Sequence, residues 1–240
     1  MAVVLRTTSR HMSPTPHAPD IPEADLKLGL ERIVFFSDAV MAIALTLLVI
    51  DLKLPDIPAQ LAAAELPRQL SQLSPRIISF VISFAVIGIY WASHHRYFTY
   101  IKRYDGRLIL LNLVFLFFIV LMPFAAGFQG QYGYLPVGTL VYGGAVAATG
   151  LSIGALWWYA SHAHRLVDRD LSLEFIQRRN RVALIVPALF LASLPFAFWS
   201  PLITQGIWWA GPIIALLVSG RTRGARRRRG DKTVSSARRC

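Results

Sequence analysis

The sequence predicts an all-α integral membrane protein with six transmembrane helices, and three observations carry that prediction. Of 240 residues, 55% are hydrophobic and only 16% charged, where a soluble domain of this size carries nearer a quarter charged residues. The apolar residues gather in six blocks, 33–50, 77–93, 108–126, 137–159, 182–199 and 202–218, each close to the ~20 residues that cross a bilayer as a helix. The basic residues alternate between the blocks. Twenty-two of the 25 Lys and Arg residues fall before the first block, in every second loop and in the C-terminal tail, and three, Lys53, Arg68 and Arg76, fall in the other loops. By the positive-inside rule, both termini are expected in the cytoplasm.

In chain order, residues 1–22 carry Pro14, Pro16, Pro19 and Pro22 among small polar residues and read as a disordered tail. Residues 23–31 read as a helical lead-in, and 23–219 as one membrane domain. Inside lipid the blocks must be helices, because every backbone polar group needs an internal partner. Pro123, Pro187, Pro195 and Pro212 fall in or near spans, where neighbouring helices absorb the break. Only Ser200-Pro201 separates the fifth and sixth blocks, which implies a tight hairpin. Residues 220–240 form a basic tail with Arg226 to Arg229 in a row, expected to anchor the topology and meet anionic lipid rather than nucleic acid. Cys240 is the single cysteine, so no internal disulfide can form.

The first span carries the unusual chemistry. Asp38 lies about a turn and a half inside its basic end, at a cost of about 2.5–3.5 kcal/mol on insertion scales. On a wheel of 100° per residue, Phe36, Val40, Ile43, Leu47 and Ile50 form one stripe with Thr46 on its flank. Ser37 and Asp38 point the other way. Either Asp38 lines a water pathway, or it faces its own subunit while the stripe faces a central axis. The second arrangement needs polar partners. Trp91 and His94, near the basic end of the second span, and Asn112, near that end of the third, share its depth.

Arg32-x-x-x-Phe36-Ser37-Asp38 resembles the R-x-x-x-F-S-D signature of the transmembrane protein 175 family of potassium channels. Trp91-x-x-His94-x-Arg96-x-Phe98 and Leu111-Asn112-Leu113, with Met122-Pro123-Phe124, are similar to that family's second and third spans. The resemblance implies a homotetramer of six-span chains with the first helices lining the pore. It implies a constriction at Ile43, Leu47 and Ile50, and a selectivity contribution from Thr46. Arg32, Phe36, Ser37 and Asp38, with a buried network of Trp91, His94 and Asn112, would hold the helices together. The proline-rich start and arginine-rich tail lie outside the family core.

The expected function is a potassium-selective, leak-type cation channel of a prokaryotic inner membrane, with potassium as permeant ion and no cofactor. The alternative is a proton channel or proton-coupled transporter using Asp38 and His94. A metalloenzyme using His94, His95 and Asp38 is disfavoured, because adjacent histidines point to different faces of a helix; no catalytic triad, Walker or dinucleotide motif is present. Gln131-Tyr132-Gly133-Tyr134 lacks the Thr-Val-Gly lead of a carbonyl filter and reads as a turn with interfacial tyrosines.

Overall fold

The computed structural model describes residues 23–53 and 57–208. Five long helices run through them: α1 (Glu23–Leu47), α2 (Ala62–Phe98), α3 (Gly106–Tyr132), α4 (Pro136–Ser161) and α5 (Leu173–Ser193). Each contains a stretch long and apolar enough to cross a membrane. Short 3₁₀ turns at Leu48–Asp51, His162–His164 and Leu194–Phe198 follow α1, α4 and α5. After a break at Ser200 the chain is helical again over 201–208, where the sixth block was expected to begin. The remainder of that block and both expected tails lie outside the described residues.

The helices pair their own backbone polar groups, as an apolar medium requires. Side-chain hydroxyls donate back to carbonyls one turn earlier: Ser93 to Ile89 at 2.9 Å, Thr149 to Ala145 at 2.8 Å and Ser161 to Trp157 at 2.7 Å. Some polar side chains reach between helices at buried points. Ser79 Oγ donates to the Ala126 carbonyl at 2.7 Å, and Tyr90 Oη to the Val146 carbonyl at 2.8 Å.

Helix α4 is central, flanked by α2, α3 and α5. Its small residues let large neighbours approach closely. A Cβ at Gly150 would stand 2.7 Å from the Tyr90 hydroxyl and 3.0 Å from the Pro187 ring, so no larger residue fits without displacing α2 or α5. Helix α2, with 37 residues, is about 55 Å long at 1.5 Å per residue, far more than a hydrocarbon core of about 30 Å. Its first turns therefore project past the bilayer at the end poor in basic residues.

At the opposite, basic end the α2–α3 and α4–α5 loops are stitched together. Ile101 and Val167 form an antiparallel bridge, and the Lys102 N–H donates to the Leu166 carbonyl at 2.8 Å. Asp105 caps α3 by accepting from the Leu108 N–H at 2.8 Å. Its other carboxylate oxygen accepts from the Tyr159 hydroxyl at 2.6 Å. The neighbouring Tyr104 ring lies directly on Gly29 of α1, where any Cβ would collide with it. The same loop thus touches α1, α3 and α4.

Partial burial pushes the Asp105 carboxyl up. The Tyr159 hydroxyl, the Leu108 and Arg107 N–H groups and the Arg107 charge more than offset this, and it lies below the usual carboxylate range. A depressed folded value means the stabilisation is fully present above the unfolded value of about 3.9 and is lost as pH falls through the folded one. Asp105→Ala should therefore lower stability by about 1 kcal/mol at pH 7 through loss of the cap, and by less at pH 3. Thermal melts in detergent at the two pH values check this.

Candidate functional site: an exposed helix and its polar brace

Helix α1 uses only one side of itself inside the subunit. Ser37, Met41, Ala44 and Leu48 are buried, a row at i, i+4, i+7 and i+11 that packs on α2 and α3. Phe36, Ile43, Leu47 and Ile50 are 54%, 59%, 39% and 60% exposed, so four of the five stripe residues are not used in the core of their own chain. The fifth, Val40, is half-buried and borders an apolar groove of about 180 Å³ with Ile43, Ala44, Leu47 and Val120 of α3. Phe35, Ala39, Ala42, Thr46 and Val49 are exposed too. The open arc spans about 160° at 100° per residue. Thr46 sits near its centre, whereas the apolar stripe alone had placed it at a border. Arg32 is exposed at the start of the span.

Two local features shape this arc. The Thr46 hydroxyl donates to the Ile43 carbonyl at 2.8 Å. Its hydrogen is committed to the helix, and its oxygen lone pairs remain to accept. The helix then tightens into the 3₁₀ turn Leu48–Asp51. Side chains three apart eclipse in such a turn, which brings Ile50 into line with Leu47.

The brace behind the arc has two separate branches. In the buried branch, Asn112 Nδ2 donates to Ser37 Oγ at 2.8 Å and Ser37 Oγ donates to the Ile33 carbonyl at 2.8 Å. Asn112 Oδ1 must then accept, so the contact at 3.0 Å has His94 Nε2–H as its donor. This orientation is the better one: the opposite would take the Ser37 proton from Ile33 and turn the unpartnered His94 Nδ1 into a buried donor with no acceptor. The His94 ring lies 4.4 Å from Phe98 and 5.6 Å, nearly parallel, from Phe115. In the second branch Trp91 Nε1 donates to Asp38 Oδ1 at 2.9 Å, and His95 stacks on the indole at 5.9 Å. Trp91 is 43% exposed and Asp38 half-buried. The sequence grouped Trp91 with His94 and Asn112 in one buried network, and the structure separates them: His94 and Trp91, three residues apart in α2, point to different sides of α1.

Sequence reasoning did not single out Ile33 or Phe115. Phe115 lies three residues after Asn112 on α3, the spacing that places two side chains on one face; nothing in the residue type marks the Ile33 carbonyl. His94, His95 and Asp38 do not converge, and among the described residues no group of three or more His, Cys, Asp and Glu is placed to hold a metal. The Gly133 carbonyl of the filter-like stretch accepts from Gln205 Nε2 at 2.6 Å and Thr139 Oγ1 at 3.3 Å, so it is spent inside the fold.

A bundle of five long apolar helices, the first of them braced to its neighbours by buried polar side chains, is the class of a multi-pass helical membrane protein. The family model described as "Endosomal/lysosomal potassium channel TMEM175" matches residues 32–123, the segment holding most of α1, the brace and Pro123. A potassium channel of Streptomyces collinus is 36% identical over 143 residues, covering 57% of this chain and 67% of that one. A crystal structure of a lysosomal potassium-selective channel TMEM175 homolog from Chamaesiphon minutus superposes with a TM-score of 0.70 at 27% identity, covering 80% of this chain and 98% of that one. The human endosomal/lysosomal proton channel TMEM175 is 32% identical over 122 residues, 48% of this chain and 24% of that one. The chain belongs to the TMEM175 family, and is a multi-pass membrane protein of a channel family rather than an enzyme.

Removing Asn112 strips His94 Nε2–H of its acceptor and Ser37 of its donor at a buried site, at about 1–3 kcal/mol per orphaned group. Asn112→Ala should lower the detergent melting temperature strongly. Trp91→Phe, at a half-exposed site, should lower it far less, and equal losses would show that the branches are not separate.

Proposed function

We propose that the protein is a potassium-selective cation channel in which four copies set α1 around a central axis, with both termini in the cytoplasm. The carrying observation is the one-sided burial of α1. A helix apolar enough to span a membrane leaves Phe36, Ile43, Thr46, Leu47 and Ile50 exposed on a single chain, while a directional hydrogen-bond chain fixes its opposite face. The potassium-channel names of bacterial relatives support the same reading. Ile43, Leu47 and Ile50 form the constriction, where apolar rings gate by dewetting. Four Thr46 oxygens, each with its hydrogen turned into the helix, offer partial negative charge to a dehydrating cation. No resident cofactor is required, and potassium is the permeant species. The surrounding partners are the bilayer and the other copies; nucleic acid has no part.

The proton reading, with Asp38 and His94 as carriers, draws on the proton-channel name of the human relative. What supports a bracing role instead is the wiring. An amide lies between His94 and Ser37, and the Ser37 proton ends on a backbone carbonyl. Asp38 accepts from an indole N–H, which gives up no proton at physiological pH.

Purified protein in liposomes should carry potassium flux, and Thr46→Val should reduce potassium-over-sodium discrimination with the fold unchanged. Asp38→Asn keeps an acceptor for Trp91 and should leave conduction intact. Loss of a proton current in that variant, with oligomeric mass preserved, would favour the proton reading. A monomeric mass in detergent would defeat the pore outright.

A further inference from the structure

We propose that the stitched loops at the basic end form a docking surface for the phosphate of an anionic lipid headgroup, with Arg165, Lys102 and Arg103 as its cations. The proposal rests on the membrane fold and not on potassium conduction.

The Lys102 and Arg103 N–H groups both point at the Leu166 carbonyl, at 2.8 and 3.3 Å. Two loops sixty residues apart in sequence are thereby locked with Lys102 and Arg103 beside Arg165. Arg165 is seated: its guanidinium carbon lies 4.6 Å over the Tyr159 ring, and that ring is pinned by its hydroxyl on Asp105. Stacking occupies one face of a guanidinium and leaves its N–H edge for a planar, two-pronged contact with phosphate. All three cations are exposed, and none is engaged in an ion pair among the described residues.

The nearby carboxylates offset only part of this positive charge. Asp105 is committed to Tyr159 and the Leu108 N–H, and Asp168 accepts from the Asp170 N–H. Lys102, Arg103, Arg107, Arg165 and Arg169 outnumber Asp105, Asp168 and Asp170 across the two loops. The backbone is strained to reach this geometry, with Ala163 and His164 both in the left-handed region at φ 51° and 52°, which costs about 1–2 kcal/mol per residue. The level argues for a lipid source. Trp158, on the last turn of α4, is 55% exposed and packs its ring 5.1 Å from His162. An exposed tryptophan at a span end lies at headgroup depth, and Arg165 follows seven residues later, just past the end of α4.

The test measures the melting temperature of the full-length protein in detergent during titration with short-chain phosphatidylglycerol, phosphatidylcholine or inorganic phosphate. Phosphatidylglycerol should raise it; the other two should not. Neutralising each cation should weaken the apparent affinity about fivefold, from about 1 kcal/mol per basic residue near a membrane surface. The K102Q/R103Q/R165Q variant should therefore lose most of the response. R165K keeps the charge but loses the stacked fork, and should also weaken the response, which covers the case of a poorly folding triple variant. Neutralising Arg226 to Arg229 should leave it in place. An unchanged response in both loop variants, or its loss on neutralising the tail alone, overturns the proposal. An equal response to inorganic phosphate overturns the lipid assignment.

Discussion

The hydrogen bond from the Asn112 amide to the Ser37 hydroxyl decides which way α1 faces. It is short and buried, and Ser37 completes it by donating to its own helix at Ile33. In an apolar medium any rotation of α1 that broke this bond would strand a donor on α3 and a hydroxyl on α1, with no water to take either. Van der Waals packing of Met41, Ala44 and Leu48 alone would tolerate small rotations. The polar chain does not, because His94, Asn112, Ser37 and the Ile33 carbonyl hold one another at 2.8–3.0 Å and rotation would part them. The chemistry on the far side of the helix inherits its precision from this one contact.

Much of this was legible in the sequence. Block length and basic-residue alternation predicted the spans, and α1 to α5 occupy the first five. The helical wheel separated Ser37 from Ile43, Leu47 and Ile50, and the structure places them on buried and exposed sides. Three things were not legible. The grouping of Trp91 with His94 followed from shared depth, but depth does not fix azimuth: three residues along α2 leave two side chains about 60° apart on one face, enough for the indole to reach Asp38 and the imidazole Asn112. The Ile33 carbonyl has no side-chain signature. The central place of Thr46 depends on where α2 and α3 pack, which no wheel of α1 alone contains.

The two ends of the molecule differ in construction. At one end α2 outruns the other helices and its first turns stand largely free. At the other, short loops are tied by backbone bonds, a cap, a stacked guanidinium and a tyrosine lodged against Gly29. Force applied to either loop at the tied end reaches α1 through rigid contacts rather than through flexible chain. Local opening is therefore expected to begin at the free end, where few buried contacts hold the backbone.

The 3₁₀ turn that closes α1 has a geometric consequence of its own. Its hydrogen bonds differ from those of an α-helix by one residue in register, so the segment can exchange pitch with almost no change in the number of bonds. Three residues passing from 3₁₀ to α geometry would unwind by about 60° and shorten by about 1.5 Å. Ile50 would swing out of line with Leu47 while Ile43, a full turn deeper in regular helix, stayed put. The bearing of Ile50 relative to Leu47 is thus a function of winding rather than of side-chain size, and one turn of backbone suffices to vary it.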